Sequence, residues 1–138
     1  MKLNSGAFDI KIWIKNHRLY LLLLAVFVLI PYANALGNGF VADDRGLLLH
    51  IGSWETIAAN PNTFLRQLLY NSIFFVGGLN PFLFHLPNIL LHLAVVWLIF
   101  FLLTRISSLT IALISSILFA VHPILIESVS WISGGVYV

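Results

Sequence analysis

Charged side chains are scarce in this sequence. Only 9% of its 138 residues are Asp, Glu, Lys or Arg, whereas 60% are hydrophobic. A soluble domain averages about 25% charged and 45–50% apolar residues, so this composition excludes an ordinary water-soluble domain. A net charge of +2, without a basic cluster interleaved with aromatic residues, argues against a nucleic-acid partner. Cysteine is absent, so these residues form no disulfide bond.

The few charges are also unevenly spaced along the chain. No Asp, Glu, Lys or Arg occurs between Arg18 and Asp43, between Arg66 and Arg105, or between Arg105 and Glu127. Each of these gaps can hold the roughly 20 apolar residues that a membrane-spanning helix needs. The sequence therefore predicts an all-α membrane protein with about three transmembrane helices.

The apolar runs inside these gaps give the predicted spans. We place the spans at approximately residues 19–36, 82–103 and 109–126, and we assign residues 37–80 to a loop on the outer side of the membrane. Pro31 is expected to end or kink the first helix. Asn80 followed by Pro81 predicts the start of the second, because Asn caps helices and Pro suits the first helical position.

The outer loop is expected to contain two short interfacial helices. Residues 47–58 are compatible with the first, and Thr63 can cap a second over residues 64–76. Gly77 and Gly78 predict the end of this second helix.

A second interpretation of the N-terminus stays open at this stage. A basic start, a short apolar core and the triplet Ala33-Asn34-Ala35 also resemble a secretory signal peptide. Cleavage after this triplet would leave the following loop on the same side of the membrane.

The distribution of charge predicts the orientation of the spans. If residues 1–18 are cytoplasmic, the turn at Arg105 is cytoplasmic too, and this side holds five of the seven Lys and Arg residues. The other side holds four of the five acidic residues: Asp43, Asp44, Glu55 and Glu127. The positive-inside rule therefore predicts a cytoplasmic N-terminus. It also predicts that the acid pair shares one side with the segment from His122 to Glu127.

Asp43 and Asp44 are the first candidates for a functional site. One interpretation is a helix N-terminus, where carboxylates accept hydrogen bonds from free N–H groups and suit the helix dipole. The other is a catalytic pair or a site for a divalent metal, because adjacent carboxylates suit a hard cation. Under the catalytic interpretation we prefer Asp44, which is the residue next to the expected helix start.

His122 and Glu127 are the second candidates. Glu127 lies in an otherwise apolar stretch, and a carboxylate in a membrane helix costs roughly 2.5–3.5 kcal/mol near the centre of the bilayer. Such residues usually face a cavity or a partner, although a Glu at the interface can simply contact water. His122, which precedes Pro123, is either a helix-end residue or part of the same site.

Three polar residues of the second span lie on one helix face. His85, Asn88 and His92 are spaced i, i+3 and i+7, and we expect them to pack against another helix rather than bind a ligand. The sequence contains no Gly-rich phosphate loop, HExxH motif or nucleophile elbow.

Four stretches, taken in order, resemble one protein family. They are FVADDRGLL at 40–48, GLNPFLFHLPNILLH at 78–92, TRI at 104–106 and HPILIESVSWISG at 122–134. Together they are similar to the N-terminal part of GT-C membrane glycosyltransferases, particularly protein O-mannosyltransferase-like proteins, including those that carry tetratricopeptide repeats. The resemblance implies that residues 1–138 are the N-terminal part of a multi-pass GT-C domain in a bacterial inner membrane or an endoplasmic reticulum membrane. Because three helices are too few to enclose both a lipid-phosphate pocket and an acceptor groove, we expect this part alone to be inactive.

The resemblance also implies a reaction and a site. Such enzymes transfer a sugar, with mannose as the first candidate here, from a polyprenyl- or dolichyl-phosphate carrier to an acceptor protein or glycan on the outer face. Asp43 and Asp44 match the essential acidic motif of the first outer loop, and Arg66 matches a basic residue later in that loop. His122 and Glu127 are expected to bind substrate, while a divalent metal on the acid pair is left open.

The sequence departs from the family pattern at two positions, and a second interpretation of its function stays open. Ala42 stands where relatives often have an aromatic residue, and Gly135 stands where many have Arg. The alternative is a non-catalytic membrane subunit or a transporter fragment, in which the acid pair is only a helix cap.

Overall fold

The described part of the chain is almost entirely helical. A computed structural model describes residues 8–41, 43, 44, 46, 51 and 64–133, with Arg66 as backbone only. The α-helices with described bounds are α1 (Ile10–Tyr32), α2 (Phe64–Gly77), α3 (Pro81–Ile106), α4 (Leu109–Ala120) and α5 (Ile126–Ser130). Two 3-10 helices cover Ala33–Gly37 and Pro123–Leu125, and no strand occurs among the described residues. These elements confirm the prediction of an all-α fold.

Helix α1 begins earlier than the apolar run indicated. It starts at Ile10 rather than at residue 19, and the Asp9 side chain caps it by accepting hydrogen bonds from the N–H groups of Lys11 and Ile12. A hydropathy pattern finds only the part that can lie in lipid, whereas the helix continues through polar residues. Pro31 lies inside α1 just before its end at Tyr32, and the chain then continues as a 3-10 helix.

Helix α3 begins where the sequence predicts and ends slightly later than predicted. Pro81 is its first residue, and the Asn80 side chain accepts a 3.1 Å hydrogen bond from the N–H of Phe82. The preceding helix α2 ends at Gly77, as expected. Gly78 adopts a φ of +62° and donates its N–H to the carbonyl of Phe74 at 2.8 Å, which is a common helix-ending arrangement that favours glycine. The other predicted loop helix, at 47–58, and its neighbour Thr63 lie outside the described residues, except for Ile51.

The third apolar run is bent rather than straight. Helix α4 ends at Ala120, and the segment 123–130 that follows makes an angle of 46° with it. His122 and Pro123 lie at the bend, where the sequence predicts an interruption. In the described residues, two helical segments, Ile10–Gly37 and Pro81–Ile106, are long and apolar enough to cross a membrane, and a third span exists if the bent pair is counted as one.

The core lies where α1, α3 and α4 pack together. Leu24, Val28, Ile89, Val96 and Phe100 belong to its main cluster of buried residues. A smaller cluster contains Tyr70, Phe84 and Ile132. Many other apolar side chains of the long helices are exposed, as expected for surfaces that contact lipid.

The bundle has two chemically different ends. The end that we call the basic end contains Trp13, Arg18, Thr104 and Arg105, and here the Trp13 Nε1–H donates to Thr104 Oγ1 at 3.2 Å. This contact places the start of α1 beside the turn at Arg105, as the orientation argument requires. The other end, which we call the acidic end, contains Asp43, Asp44, Asn80 and Ser133. Which end faces the cytoplasm stays a prediction.

Candidate functional site

Asp44 is fully buried at the acidic end. Its Oδ2 accepts a 3.0 Å hydrogen bond from the N–H of Val41, and its Oδ1 accepts one of 3.0 Å from the N–H of Ser133. Its own N–H donates to the carbonyl of Val41 at 2.9 Å. The carboxylate therefore caps a local turn and also joins the loop to the segment that follows α5, 89 residues later in the chain.

Asp43 is in the opposite environment. Its side chain is exposed, and it makes no hydrogen bond or ion pair with another residue that the structure describes. An exposed carboxylate can meet an incoming group, whereas a buried carboxylate that already accepts two N–H bonds is better suited to holding structure. The adjacent acids thus differ in what they can do chemically.

The segment 131–133 forms the base on which this loop rests. Tyr70 of α2 donates its hydroxyl hydrogen to the carbonyl of Ile132. Asn88 of α3 donates from Nδ2 to the carbonyls of Trp131 at 3.0 Å and Ile132 at 3.4 Å. With Asp44 accepting from Ser133, side chains of the loop, α2 and α3 all bind the backbone of these three residues.

His85 lies buried in the same region, with an exposed fraction of only 1%. Its ring lies beside the backbone of Asn38 and of Ser130 and within electrostatic reach of the Asp44 carboxylate. Neither ring nitrogen makes a hydrogen bond of good geometry to a described group. The neighbouring Phe84 packs its ring between Phe40 and Tyr70, with ring centroids 5.5 and 5.7 Å away.

The three polar residues of the second span lie in different environments. His92 packs against another helix, as the sequence predicts, and its Nε2 pairs with the carbonyl of Ala120 at 3.0 Å, whereas Asn88 binds the backbone of the segment that follows α5. His85 instead lies beside the acidic loop and was not among the site residues that the sequence indicated. The available signal was its position one turn after Asn80-Pro81, at the end of the helix nearest the acids.

Among the other predicted site residues, His122 and Glu127 are not brought into contact with the acid pair in the described part of the chain. His122 is exposed, and its Nδ1 accepts a 3.3 Å hydrogen bond from the N–H of Ile124, so it caps a 3-10 helix. Glu127 is exposed in the first turn of α5. Neither makes a hydrogen bond or ion pair with the acids in the described part of the chain. The Arg66 backbone lies in α2, and its side chain is outside the description.

The geometry of the acid pair bears on whether it can bind a divalent metal. Within the described residues, no group of three or more His, Cys, Asp or Glu side chains is placed to hold a metal ion. Both oxygens of Asp44 point at N–H donors while Asp43 is exposed. Two carboxylates are therefore not presented to one cation, and this geometry does not fit a two-carboxylate metal site.

A cavity of about 200 Å³ lies between α3, α4 and α5. Its walls are largely apolar, with Leu91, Val95, Phe119 and Val129 among the lining residues, and Asn88 adds a polar group. Asn88 also holds the 131–133 segment, so the cavity adjoins the base of the acidic loop. Its apolar walls suit a hydrocarbon chain.

Comparison with known proteins identifies relatives of this chain. No protein-family model matches it, and no solved structure matches it. The chain is 32% identical over 124 residues to the protein O-mannosyl-transferase Tmtc1 of Drosophila melanogaster, which covers 75% of this chain and 14% of the fly protein. It is 38% identical over 72 residues to the human protein O-mannosyl-transferase TMTC1, covering 51% of this chain and 8% of the human protein. The chain spans only a small part of the length of these two curated relatives. It is a relative of the protein O-mannosyl-transferases and is O-mannosyltransferase-like.

Proposed function

We propose that this chain is part of a membrane glycosyltransferase of the GT-C type. The whole enzyme transfers a sugar, with mannose as the first candidate, from a polyprenyl- or dolichyl-phosphate carrier to a hydroxyl group of an acceptor protein or glycan. The reaction takes place at the acidic end, on the outer or lumenal face of the membrane. The names of the relatives support the transferase class, and the long apolar helices support a membrane location.

The single observation that carries the site assignment is the contrast between the two adjacent acids. Asp43 is exposed, whereas both oxygens of the buried Asp44 accept backbone N–H bonds. We therefore assign the role of general base to Asp43, although the sequence alone favoured Asp44. Asp44 is assigned the role of positioning the loop.

The proposed step is a displacement at the anomeric carbon of the donor sugar. The acceptor oxygen attacks that carbon while Asp43 takes the hydroxyl proton. The bond from carbon to the carrier phosphate oxygen breaks, and the phosphate leaves with the electron pair. A positioned general base typically contributes about 10²–10⁴-fold to the rate of such a step.

The remaining predicted residues have supporting roles in this proposal. Arg66 pairs with the negative charge of the leaving phosphate, since a guanidinium suits phosphate geometry. His122 and Glu127, both exposed, contact the sugar or the acceptor. The apolar cavity between α3, α4 and α5 accommodates part of the carrier's hydrocarbon chain.

The test of the base assignment is Asp43→Asn in the full-length protein that contains this segment. Asparagine keeps the shape of the side chain but cannot take the proton, so the transfer rate should fall by about 10²-fold or more while donor binding persists. Asp9→Asn is the matched control, because Asp9 caps α1 and Asn caps helices equally well. It should transfer sugar at the parental rate.

Transfer at near-parental rate by Asp43→Asn would overturn the assignment of Asp43 as the general base. Absence of transfer by the parental full-length protein would instead favour the non-catalytic alternative. No step is assigned to a metal, so a chelator should leave the parental rate unchanged. Loss of activity with chelator, with recovery on adding a divalent ion, would instead give Asp43 a metal-binding role.

A further inference from the structure

An open groove of about 650 Å³ lies between α1 and α3 at the basic end of the bundle. Two contacts join the walls of this groove, which we call the α1–α3 groove. The rings of Trp13 and Phe101 meet edge to face with centroids 5.0 Å apart, and Trp97 donates its indole N–H to the carbonyl of Leu21 at 3.0 Å. The lining is almost entirely hydrocarbon, and Arg18 is its charged member.

The walls of the groove favour a hydrocarbon occupant. Trp97 is partly exposed, but its N–H is already paired with the carbonyl of Leu21, so the ring offers the groove hydrocarbon surface only. Leu22 on one wall and Leu98 on the other are 62% and 54% exposed. On a helix that crosses a membrane, such a surface contacts either lipid chains or another apolar helix.

Arg18 decides between these two kinds of occupant. Its side chain is exposed and makes no hydrogen bond or ion pair with any other residue that the structure describes. Asp9 is the only acid in the sequence before Asp43, and its carboxylate caps α1. Trp13 contacts Thr104 at the basic end, and Arg18 lies about 7–8 Å further along α1. A charge at that depth is unfavourable in lipid unless it meets an opposite charge.

Arg18 also belongs to a basic face of α1. Lys11, Lys15 and Arg18 are spaced i, i+4 and i+7, so they project from one side of the helix, and all three are exposed. A guanidinium can pair with two phosphate oxygens at once, and basic segments at a membrane surface attract anionic lipids. The groove and its charges therefore suit a molecule with a hydrocarbon chain and an anionic phosphate headgroup.

We propose that the α1–α3 groove binds an acyl chain of an anionic phospholipid, whose phosphate pairs with Arg18. Lys11 and Lys15 lie nearer the start of the helix and attract the same headgroup. The site is at the opposite end of the bundle from the acidic loop, so this lipid is distinct from the sugar donor. The proposal does not depend on the function proposed above.

Photocrosslinking of the full-length protein tests this site. The protein is placed in phosphatidylcholine nanodiscs with equal small amounts of either phosphatidylglycerol or phosphatidylcholine that carries a diazirine in one acyl chain. Mass spectrometry then compares adducts on peptides covering 10–22 and 97–101 with adducts on the exposed α4 residues Ile111, Ile114 and Leu118. The groove should carry about fivefold more adduct from the phosphatidylglycerol probe, whereas the α4 residues should show no such preference.

Two arginine variants separate a specific site from general attraction. Arg18→Gln removes the guanidinium from the groove and should reduce the preference to that of the α4 residues. Arg105→Gln is the matched control, because it removes the same charge at the same end, where the guanidinium lies 4.2 Å over the ring of Phe8 and outside the groove lining. The preference should persist in this control.

A third variant tests whether the acyl chain lies in the groove. Leu98→Trp enlarges an exposed side chain on the groove wall. It should lower the adducts from both probes in the groove and leave those on the α4 residues unchanged.

Three results would overturn the proposal. Equal preference in the groove and on α4 would indicate ordinary contact with bulk lipid. Equal loss of preference in Arg18→Gln and Arg105→Gln would show that net charge, not a site, attracts the lipid. Absence of adducts in the groove from both probes would show that another part of the protein covers it. None of these readouts involves sugar transfer, so the outcome is independent of the Asp43→Asn test.

Discussion

The two ends of the bundle are held together by different kinds of contact. At the basic end, the indole of Trp13 stacks on His17 at 4.6 Å and meets the edge of Phe101 at 5.0 Å. The guanidinium of Arg105 lies 4.2 Å over the ring of Phe8. At the acidic end, the aromatic contacts of Phe84 are joined by side chains that bind backbone groups, and a carboxylate is completely buried.

This difference indicates different tasks for the two ends. Aromatic rings with a polar edge suit the membrane interface, where they anchor helices without requiring one exact geometry. Buried polar groups that must all find partners allow few arrangements and lose stability sharply when one partner is removed. The acidic end therefore has the restricted geometry that a reaction site needs. The basic end can vary in geometry and still hold its helices at the membrane interface.

The largest expected effect concerns the membrane sides of the two ends. The 138 residues contain no cysteine, so single cysteines can be placed at Gly39, where an added side chain meets open space, and at the exposed Ile106. In full-length protein freed of other reactive cysteines, an impermeant thiol reagent added from the outside should label Gly39→Cys. It should label Ile106→Cys only after permeabilisation, because the positive-inside rule places that turn in the cytoplasm.

The opposite labelling pattern would invert the orientation but keep the two ends apart. Labelling of both positions from the same side would contradict the assignment of the ends to opposite faces of the membrane.

The next largest expected effect is a difference in the free energy of unfolding between alanine variants of the two adjacent acids. Asp44→Ala removes the acceptor of two buried N–H groups, and each unsatisfied group costs about 1–3 kcal/mol. Its free energy of unfolding, measured by denaturant titration in detergent, should therefore fall by about 2–5 kcal/mol. Asp43→Ala should change it by no more than about 0.5 kcal/mol, because that side chain is exposed. Equal losses in the two variants would remove the distinction on which the site assignment depends.

Sequence patterns predicted the parts of this fold that depend on local chemistry. The start of α3 at Asn80-Pro81 and the end of α2 at Gly77-Gly78 follow from capping and from a φ that favours glycine. Charge counting also predicted that the start of α1 and the turn at Arg105 share one side of the membrane, and the Trp13 to Thr104 hydrogen bond joins those two segments.

Sequence patterns did not reveal contacts between residues far apart in the chain. The hydrogen bond from Ser133 to Asp44 joins residues 89 positions apart. The sequence around either residue gives no sign that the other lies next to it. The assignment of different roles to Asp43 and Asp44 depends on that bond, because the two residues are chemically identical until one is buried. His85 was read as a packing residue for the same reason, since its spacing with Asn88 and His92 describes a helix face but not what lies against it.

The smallest expected effect tests whether the basic end depends on one specific hydrogen bond. Trp13 donates its indole N–H to Thr104 Oγ1, and that hydroxyl in turn donates to the carbonyl of Phe101 at 2.7 Å. Trp13→Phe and Thr104→Val each remove the bond while keeping an apolar side chain of similar shape. Side-chain hydrogen bonds between membrane helices contribute about 0.6 kcal/mol on average in double-mutant cycles. The coupling free energy from the two single variants and the double variant should be near that value, measured by unfolding in detergent. A coupling of about 2 kcal/mol or more would show that this end also depends on one specific polar contact, and the contrast between the two ends would then have to be abandoned.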